Sequence, residues 1–373
     1  MSVCLILTTI AVPTVLESYR RNATRFGHRR ISCVVIGDRK TPPEAEEYCR
    51  KVSGPDFEVT FLDCERQERE LGKFPRLLEL LPYDSYERKN LGYLWAYLAG
   101  HSVFVDIDDD NYATDEDDFF GALATVGSEV TLRAVSSATG FVNVCALLRA
   151  ERRFYPRGFP VDRRWQDERW TIGVRRGRHV VAAGLWLETP DVDATAHLEG
   201  GVRTTGFDDR LGQQVTLAPG MLCPINSQAT AIHRDLLPAM FLPLMGGRLY
   251  GQVIGRYQDI WRGYFLQALV DALDGVVSWG QPLVVQHRNP HDYLVDLRAE
   301  LPGMLLTPRL LDTMRAVQLR GPACLDAYDG LVRGLRAGLQ DAPRYSADER
   351  QLIAGLVDGM EIWSEVCSQV YRA

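Results

Sequence analysis

The stretch VFVDIDDDNY, residues 103–112, runs from a short apolar segment into three consecutive aspartates, Asp108, Asp109 and Asp110. The apolar part, 103–107, reads as a buried strand, so the triplet falls at a strand's carboxyl end. Open α/β sheets bind ligands beyond the carboxyl ends of their strands, which makes this the expected place for a site. Three crowded carboxylates repel one another. A hard divalent cation, magnesium or manganese, relieves that repulsion and can bridge a diphosphate. The competing reading of the triplet is a solvated turn that caps a following helix; the strand context favours the metal, with Asp108 and Asp110 as ligands. The acidic run at 115–118 reads as the solvated first turn of a helix.

Working outward, 3–9 and 31–36 read as strands with a helix at 13–26 between them, followed by a strand at 59–62 and a helix at 89–98. That alternation is βαβ rhythm and predicts a parallel sheet. From 147 to 184 the pattern breaks into Arg-rich and aromatic sequence with no assignable element. Beyond it, 184–187, 214–217 and 283–286 read as strands and 257–273 as an amphipathic helix. Ser346 and Glu349 have capping-box spacing and open a helix running to about Tyr371. The prediction is a GT-A type (Rossmann-like) α/β domain over 1–290 and a helical C-terminal appendage over 291–373.

Composition narrows the function classes. A chain of 373 residues, 46% hydrophobic and 24% charged, is a globular protein large enough for a sizeable core. The formal charge of −7 argues against nucleic acid as a partner. An apolar N-terminal run of about ten residues without a basic flank suits a buried strand better than a signal peptide, and no segment approaches a membrane span. The eight cysteines form no CxxC pair, so neither a zinc site nor a disulfide framework is signalled and a reducing cytoplasm is expected. Only Lys40, Lys51, Lys73 and Lys89 are lysines, a bias expected of a GC-rich bacterial genome.

Three further features carry chemistry. His287, just past a late apolar strand, is a candidate third metal ligand against the commoner reading of a hydrogen-bonded structural histidine. Between Arg149 and Arg178 stand ten arginines, and Arg157 is framed by Pro156, Gly158 and Pro160. Such a loop can present a planar guanidinium to a diphosphate. In IGRYQDIWRGYF, Ile260, Trp261, Tyr264 and Phe265 are expected to face the core, leaving Asp259 to meet a sugar hydroxyl or act as a base; an exposed helix-start carboxylate is the alternative.

With these segments quoted, the chain resembles the reversibly glycosylated polypeptide family, which includes plant UDP-arabinopyranose mutases and has a GT-A core. The resembling blocks are IDDDN, RGFPVDRR, GLWLETPDVDA, PAMFLPLM, IGRYQDIWRGY, QHRNPHDYLVDL and GMEIWSEV, in that order. SYERKNLGYLWAYLAG and VVIGDRKTPP, in the first hundred residues, look more like the related STELLO-type proteins. The resemblance implies that Asp108, Asp109 and Asp110 form the metal and nucleotide-sugar motif. It also implies that Arg157 is the reversibly glycosylated arginine, and Arg164 a second essential arginine. Thr8, Asp38, Arg88 and Lys89 join Asp108 and Asp109 as nucleotide-binding candidates. Asn111 stands where the family usually has cysteine, and Gln258 where it has aspartate.

The expected activity is therefore metal-dependent pyranose–furanose interconversion of a UDP-sugar, with possible self-glycosylation. A mutase must break the anomeric bond, reclose the ring through another hydroxyl and return the same UDP, so the nucleotide stays bound throughout. Arg157 would serve as glycosyl acceptor if locally deprotonated, or as electrostatic holder of the leaving group. Flavin is excluded, because no GxGxxG follows a strand. The rival enzyme is a transferase passing the sugar to a separate acceptor in bacterial natural-product or polysaccharide synthesis. The non-enzyme rival is a silent nucleotide-sugar-binding scaffold. Self-association is left open.

Overall fold

The computed structural model describes residues 2–166, 168–340 and 344–372. Its first part is the expected βαβ unit: β1 (Val3–Thr8), α1 (Leu16–Arg25), β2 (Ile31–Ile36), α2 (Glu44–Val52), β3 (Phe57–Leu62), α3 (Cys64–Leu71), α4 (Pro75–Leu80), α5 (Lys89–Leu98) and β4 (Val103–Asp106). β1 pairs in parallel with both β2 and β4, and β2 with β3. β1 and, up to its last residue Asp106, β4 are mainly apolar, and both are almost wholly buried, as strands covered on both faces must be. α2 shows the complementary pattern, burying Ala45, Cys49 and Val52 on one face. α5 lies so close to the sheet that a Cβ at Gly92 would sit 2.6 Å from Ile6 Cγ2.

The second part adds β5 (Asn111–Ala113), β6 (Glu129–Ser137), β7 (Leu148–Ala150), β8 (Trp170–Glu188), α6 (Ala194–Leu198), β9 (Thr204–Phe207), β10 (Gln214–Leu217) and β11 (Thr230–His233). The hairpin strands β12 (Arg248–Leu249) and β13 (Gln252–Val253), then α7 (Gln258–Ala272) and β14 (Gly275–Gln286), follow. Among the described residues the main sheet runs β3-β2-β1-β4-β11-β8-β6-β10-β14-β5. β11 is antiparallel to β4 and β8. The unassigned segment 147–184 thus holds β7 and most of β8, which is 19 residues long and pairs with β6 along its first half and with β14 along its second. The run 115–118 does not begin an α-helix. Asp118 accepts from Gly121 N at 2.8 Å and meets His28 Nε2 at 2.6 Å, which ties this turn to the end of α1.

α8 (Tyr293–Ala316), α9 (Cys324–Gly338) and α10 (Ala347–Arg372) complete the chain, and the connection between β14 and α8 contains position 290. These helices share one apolar core with the sheet. Trp363 of α10 is fully buried, its indole donating to Leu237 O at 3.1 Å. The capping box forms: Ser346 N donates to Glu349 Oε2 at 2.6 Å and Glu349 N to Ser346 Oγ at 3.3 Å. No helix among the described residues is long and apolar enough to cross a membrane, and all eight cysteines are free thiols.

Beneath the end of β4 lies a buried ionic cluster. Asp106 accepts from Arg262 at 2.8 Å and from the Tyr93 hydroxyl at 2.6 Å, with Lys89 Nζ 3.8 Å away. All four groups are buried. Such charges are tolerable inside a protein only when paired and hydrogen-bonded.

Candidate nucleotide-sugar site

A cavity of about 370 Å³ opens at the carboxyl ends of β1, β2 and β4. Thr8 ends β1 and Thr9 and Ile10 follow it into the wall, Asp38 follows β2, and Asp108, Asp109 and Asp110 follow β4. The opposite wall comes from far along the chain: Arg157, Asp191, Arg256, Asp259, Gln286, Arg288 and His291. β5 makes this meeting possible. It pairs with the end of β14, so Gln286 lies opposite Asn111 and Gln286 Nε2 donates to Asp110 Oδ2 at 3.3 Å.

The three aspartates have different surroundings. Asp108 accepts from Tyr86 Oη at 2.7 Å and from Lys89 Nζ at 3.1 Å. Asp109 accepts from Thr9 Oγ1 at 2.7 Å, and burial nonetheless raises its pKa. Asp110 Oδ1 is buried with no hydrogen-bond partner. Burial, and then the neighbouring Asp108 charge, push the Asp110 pKa up to about 7. A buried carboxylate oxygen without a donor beside a second carboxylate is what a divalent cation would satisfy, so the donor set fits one. No three His, Cys, Asp or Glu side chains among the described residues form a ready-made metal cluster. A cation here would draw its remaining ligands from phosphate and water, as magnesium commonly does.

Several nominated residues have other tasks. His287 donates its backbone N–H to Asp110 O at 2.9 Å, but its exposed imidazole lies against the Tyr112 ring, 5.2 Å between centroids, and does not line the cavity. His291 lines it instead. Lys89 is buried beneath the triplet, donating to Ile107 O, Tyr86 Oη, Asp108 and Ser227 O, and is not in the cavity wall. Arg88 reaches the wall, yet its guanidinium donates to Gln67 Oε1 at 2.9 and 2.6 Å and to Leu81 O at 3.2 Å. It also stacks 4.0 Å from the Tyr83 ring centroid, so it braces the loop before α5. Asp38 accepts from Ser85 N at 3.2 Å and stays in the wall beside Thr8.

Arg157 departs furthest from expectation. A guanidinium has five N–H groups, and all five are used here. Nε and Nη2 donate to the two Asp191 oxygens, each at 3.0 Å. Nη1 and Nη2 donate to the two Asp259 oxygens at 3.1 and 2.6 Å, and Nη1 also donates to Arg256 O. Asp259 is therefore neither exposed nor free; it is buried against a cation. Burial alone would lower the Arg157 pKa, but Asp191 and then Asp259 raise it well above the ordinary value, which opposes any locally deprotonated guanidine. Gly158 makes the loop possible: its φ is +81°, and a Cβ would sit 2.3 Å from Ile260 Cγ2. Arg164 lies outside the cavity wall, donating to Phe159 O at 3.0 Å and to Asp193.

Asp191, Arg256 and Arg288 were not nominated from sequence. Asp191 sits in the quoted LETPDVDA block, where nothing in the spacing separates it from Asp193. Arg288 was eclipsed by its neighbour His287. Its side chain is only 7% exposed, it meets Asp296 Oδ2 at 3.4 Å, and its Nε is buried without a partner.

Residues 91–368 match the family described as "Reversibly glycosylated polypeptide". The chain belongs to that family. Among its curated relatives, UDP-arabinopyranose mutase 2 of Arabidopsis thaliana is 30% identical over 190 residues, 50% of each chain. The probable UDP-arabinopyranose mutase 1 of Zea mays is 36% identical over 138 residues, 36% of each. Arabidopsis thaliana also has a "probable glycosyltransferase STELLO2", 27% identical over 230 residues, 58% of this chain and 29% of that one. The chain spans about half the length of the first of these relatives. One similar solved structure is glucosyl-3-phosphoglycerate synthase from Mycobacterium tuberculosis with Mn2+, UDP-glucose and phosphoglyceric acid. It is 14% identical at a TM-score of 0.39, covering 82% of this chain and 79% of that one. In this member of the family, then, Arg157 is an ion-paired, fully hydrogen-bonded side chain.

Proposed function

We propose that the chain is a UDP-sugar enzyme of GT-A type, with a pyranose–furanose mutase as the leading reading. The observation that carries it is one cavity lined by both the unpartnered Asp110 oxygen and the under-satisfied Arg288 guanidinium. A diphosphate needs that pairing, a cation held by carboxylates on one side and a fixed positive group on the other. The parallel order β3-β2-β1-β4 with antiparallel β11 next in line, and the acidic triplet closing β4, support the GT-A reading.

In this reading Thr8, Ile10, Ile36 and Asp38 surround the nucleoside, with Asp38 accepting from a base N–H or a ribose hydroxyl. Asp108 and Asp110 would hold magnesium or manganese, which supplies charge neutralisation for the diphosphate when bound. Arg288 holds the β-phosphate and steadies the charge that grows on it as the anomeric bond breaks. Lys89 and Tyr86 keep Asp108 in place, and Gln286 orients Asp110. The family membership and the mutase relatives favour return of the sugar to the same UDP over transfer to a separate acceptor. Eight free thiols suit a reducing compartment such as the cytoplasm.

Incubation with a panel of UDP-sugars and Mn2+ without any acceptor tests this. A furanose product supports the mutase. Slow release of free sugar points to the transferase, and no change in any UDP-sugar despite UDP binding points to a binding protein.

A further inference from the structure

The inner wall of the cavity, opposite the triplet, carries two carboxylates whose purpose the diphosphate does not explain. Asp191 and Asp259 are both buried, both in the wall, and both anchored on the one guanidinium of Arg157. Asn226 Nδ2 adds a third donation to Asp191, at 2.8 Å to Oδ2, and Ile260 N a third to Asp259, at 3.0 Å to Oδ1. An ionised carboxylate accepts about four hydrogen bonds. Each aspartate thus has an acceptor position left, on Asp191 Oδ1 and on Asp259 Oδ2, each of which receives a single donation. Asp191, Asp259 and Asp110 line the same cavity, so this wall and the acidic triplet face one space.

Resting on the nucleotide-sugar reading, we propose that Asp191 and Asp259 accept hydrogen bonds from two hydroxyls of the sugar ring and so set sugar specificity. Arg157 is then a positioning residue that holds both carboxylates and neither takes nor carries the sugar. The chemistry excludes the other occupants of this wall. A phosphate would meet two carboxylates and no free donor of Arg157, since all five are spent. A cation at the two remaining acceptor positions would sit beside the like charge of the guanidinium that already bridges the pair, which repels it. A neutral donor remains, and adjacent ring hydroxyls supply two at once.

The test compares wild type, Asp191→Asn, Asp259→Asn and Arg157→Lys. The probes are UDP, UDP-glucose, UDP-galactose, UDP-arabinopyranose and analogues of each lacking one ring hydroxyl. The proposal expects at least one deoxy analogue to bind wild type roughly tenfold or more weakly than its parent, the scale of a hydrogen bond to a charged group. Asp191→Asn or Asp259→Asn should lose that discrimination while binding UDP as wild type does. Arg157→Lys should lower kcat/KM for the preferred UDP-sugar, keep UDP affinity, and blunt the discrimination as well. Where an aspartate variant fails to fold, the wild-type analogue series together with the other variant decides. Unaltered discrimination in both aspartate variants would overturn the assignment, as would a sugar added to wild type and absent from Arg157→Lys by intact-protein mass. Failure of wild type to bind UDP at all is a different result and overturns the nucleotide-sugar reading beneath it.

Discussion

Lys89 Nζ lies 3.1 Å from Asp108 Oδ1 and 3.8 Å from Asp106 Oδ1, wholly out of reach of solvent. One ammonium thus fastens the acidic loop to the ionic cluster under β4. Replacing it by methionine keeps the bulk and removes the charge, leaving Asp108 and Asp106 short of a partner. Lys89→Met should destabilise the fold by roughly 3–5 kcal/mol, read by urea denaturation. A loss below about 1 kcal/mol would mean that the loop is held by other contacts.

The pH dependence of metal binding follows from Asp110. With its pKa pushed up to about 7 in the metal-free protein, a proton competes for the site over the lower part of the physiological range. Mn2+-dependent UDP affinity should therefore rise with pH up to about 7 and level off above it. The sign for stability is opposite: the folded state holds this proton more tightly than the unfolded chain does. Its contribution to metal-free stability is present below the ordinary carboxylate value of 3.8 and is lost as pH rises through about 7. Asp110→Asn should flatten both trends. Calorimetry from acid to neutral pH in both proteins checks it, and parallel curves would refute it.

Neighbouring residues give a sharp contrast. His287→Ala should leave Mn2+-dependent UDP affinity unchanged, because the imidazole lies on Tyr112 and outside the cavity. Arg288→Gln should weaken it by about tenfold or more, the cost of losing a charge-assisted contact of about 1.5–3 kcal/mol. Titration of both variants with UDP and Mn2+ decides, and the reverse ranking would restore the histidine as the ligand.

Gly158 supplies a stability prediction. An alanine there must adopt a φ near +81° and also displace Ile260, whose Cγ2 would lie 2.3 Å from the new Cβ. Gly158→Ala should cost roughly 2–5 kcal/mol from strain and overpacking together. Shortening the opposing side chain in Gly158→Ala/Ile260→Val should recover part of it. Thermal melts of the single and double variants measure the coupling.

β1, β2 and β4 were legible as apolar runs and α1 by its one apolar stripe, whereas the short helices α2, α3 and α4 were not picked out. Nor was β8. Its outer half, WTIGVRRGR, stands mostly in solvent, so Arg175, Arg176 and Arg178 interrupt any alternation that burial would have imposed. The acidic triplet declared itself through its strand, and the Pro/Gly frame of Arg157 marked a shaped loop. What sequence could not supply was the partner of each charge. Arg157 and Asp259 were both picked out, for separate tasks, yet 102 positions apart they neutralise one another. Asp191, the third member of that group, had no signal beyond a proline-bounded loop after a long strand. Lys89 and Arg88 entered as nucleotide-binding candidates with the family resemblance, whereas here both are turned into the protein.

The contact between Gly158 and Ile260 also limits how this protein can diverge. It presses the arginine loop onto the first turn of α7, so the two segments that present Asp259 and Arg157 cannot change shape separately. A lineage acquiring a new sugar would have to alter them in step: a side chain at 158 requires a smaller one at 260 in the same ancestor, or the intermediate is unstable. Beside Asp38 the same constraint recurs, because a Cβ at Gly37 would lie 2.7 Å from Phe61 Cζ, so the loops at both ends of the cavity are open to change only in paired steps.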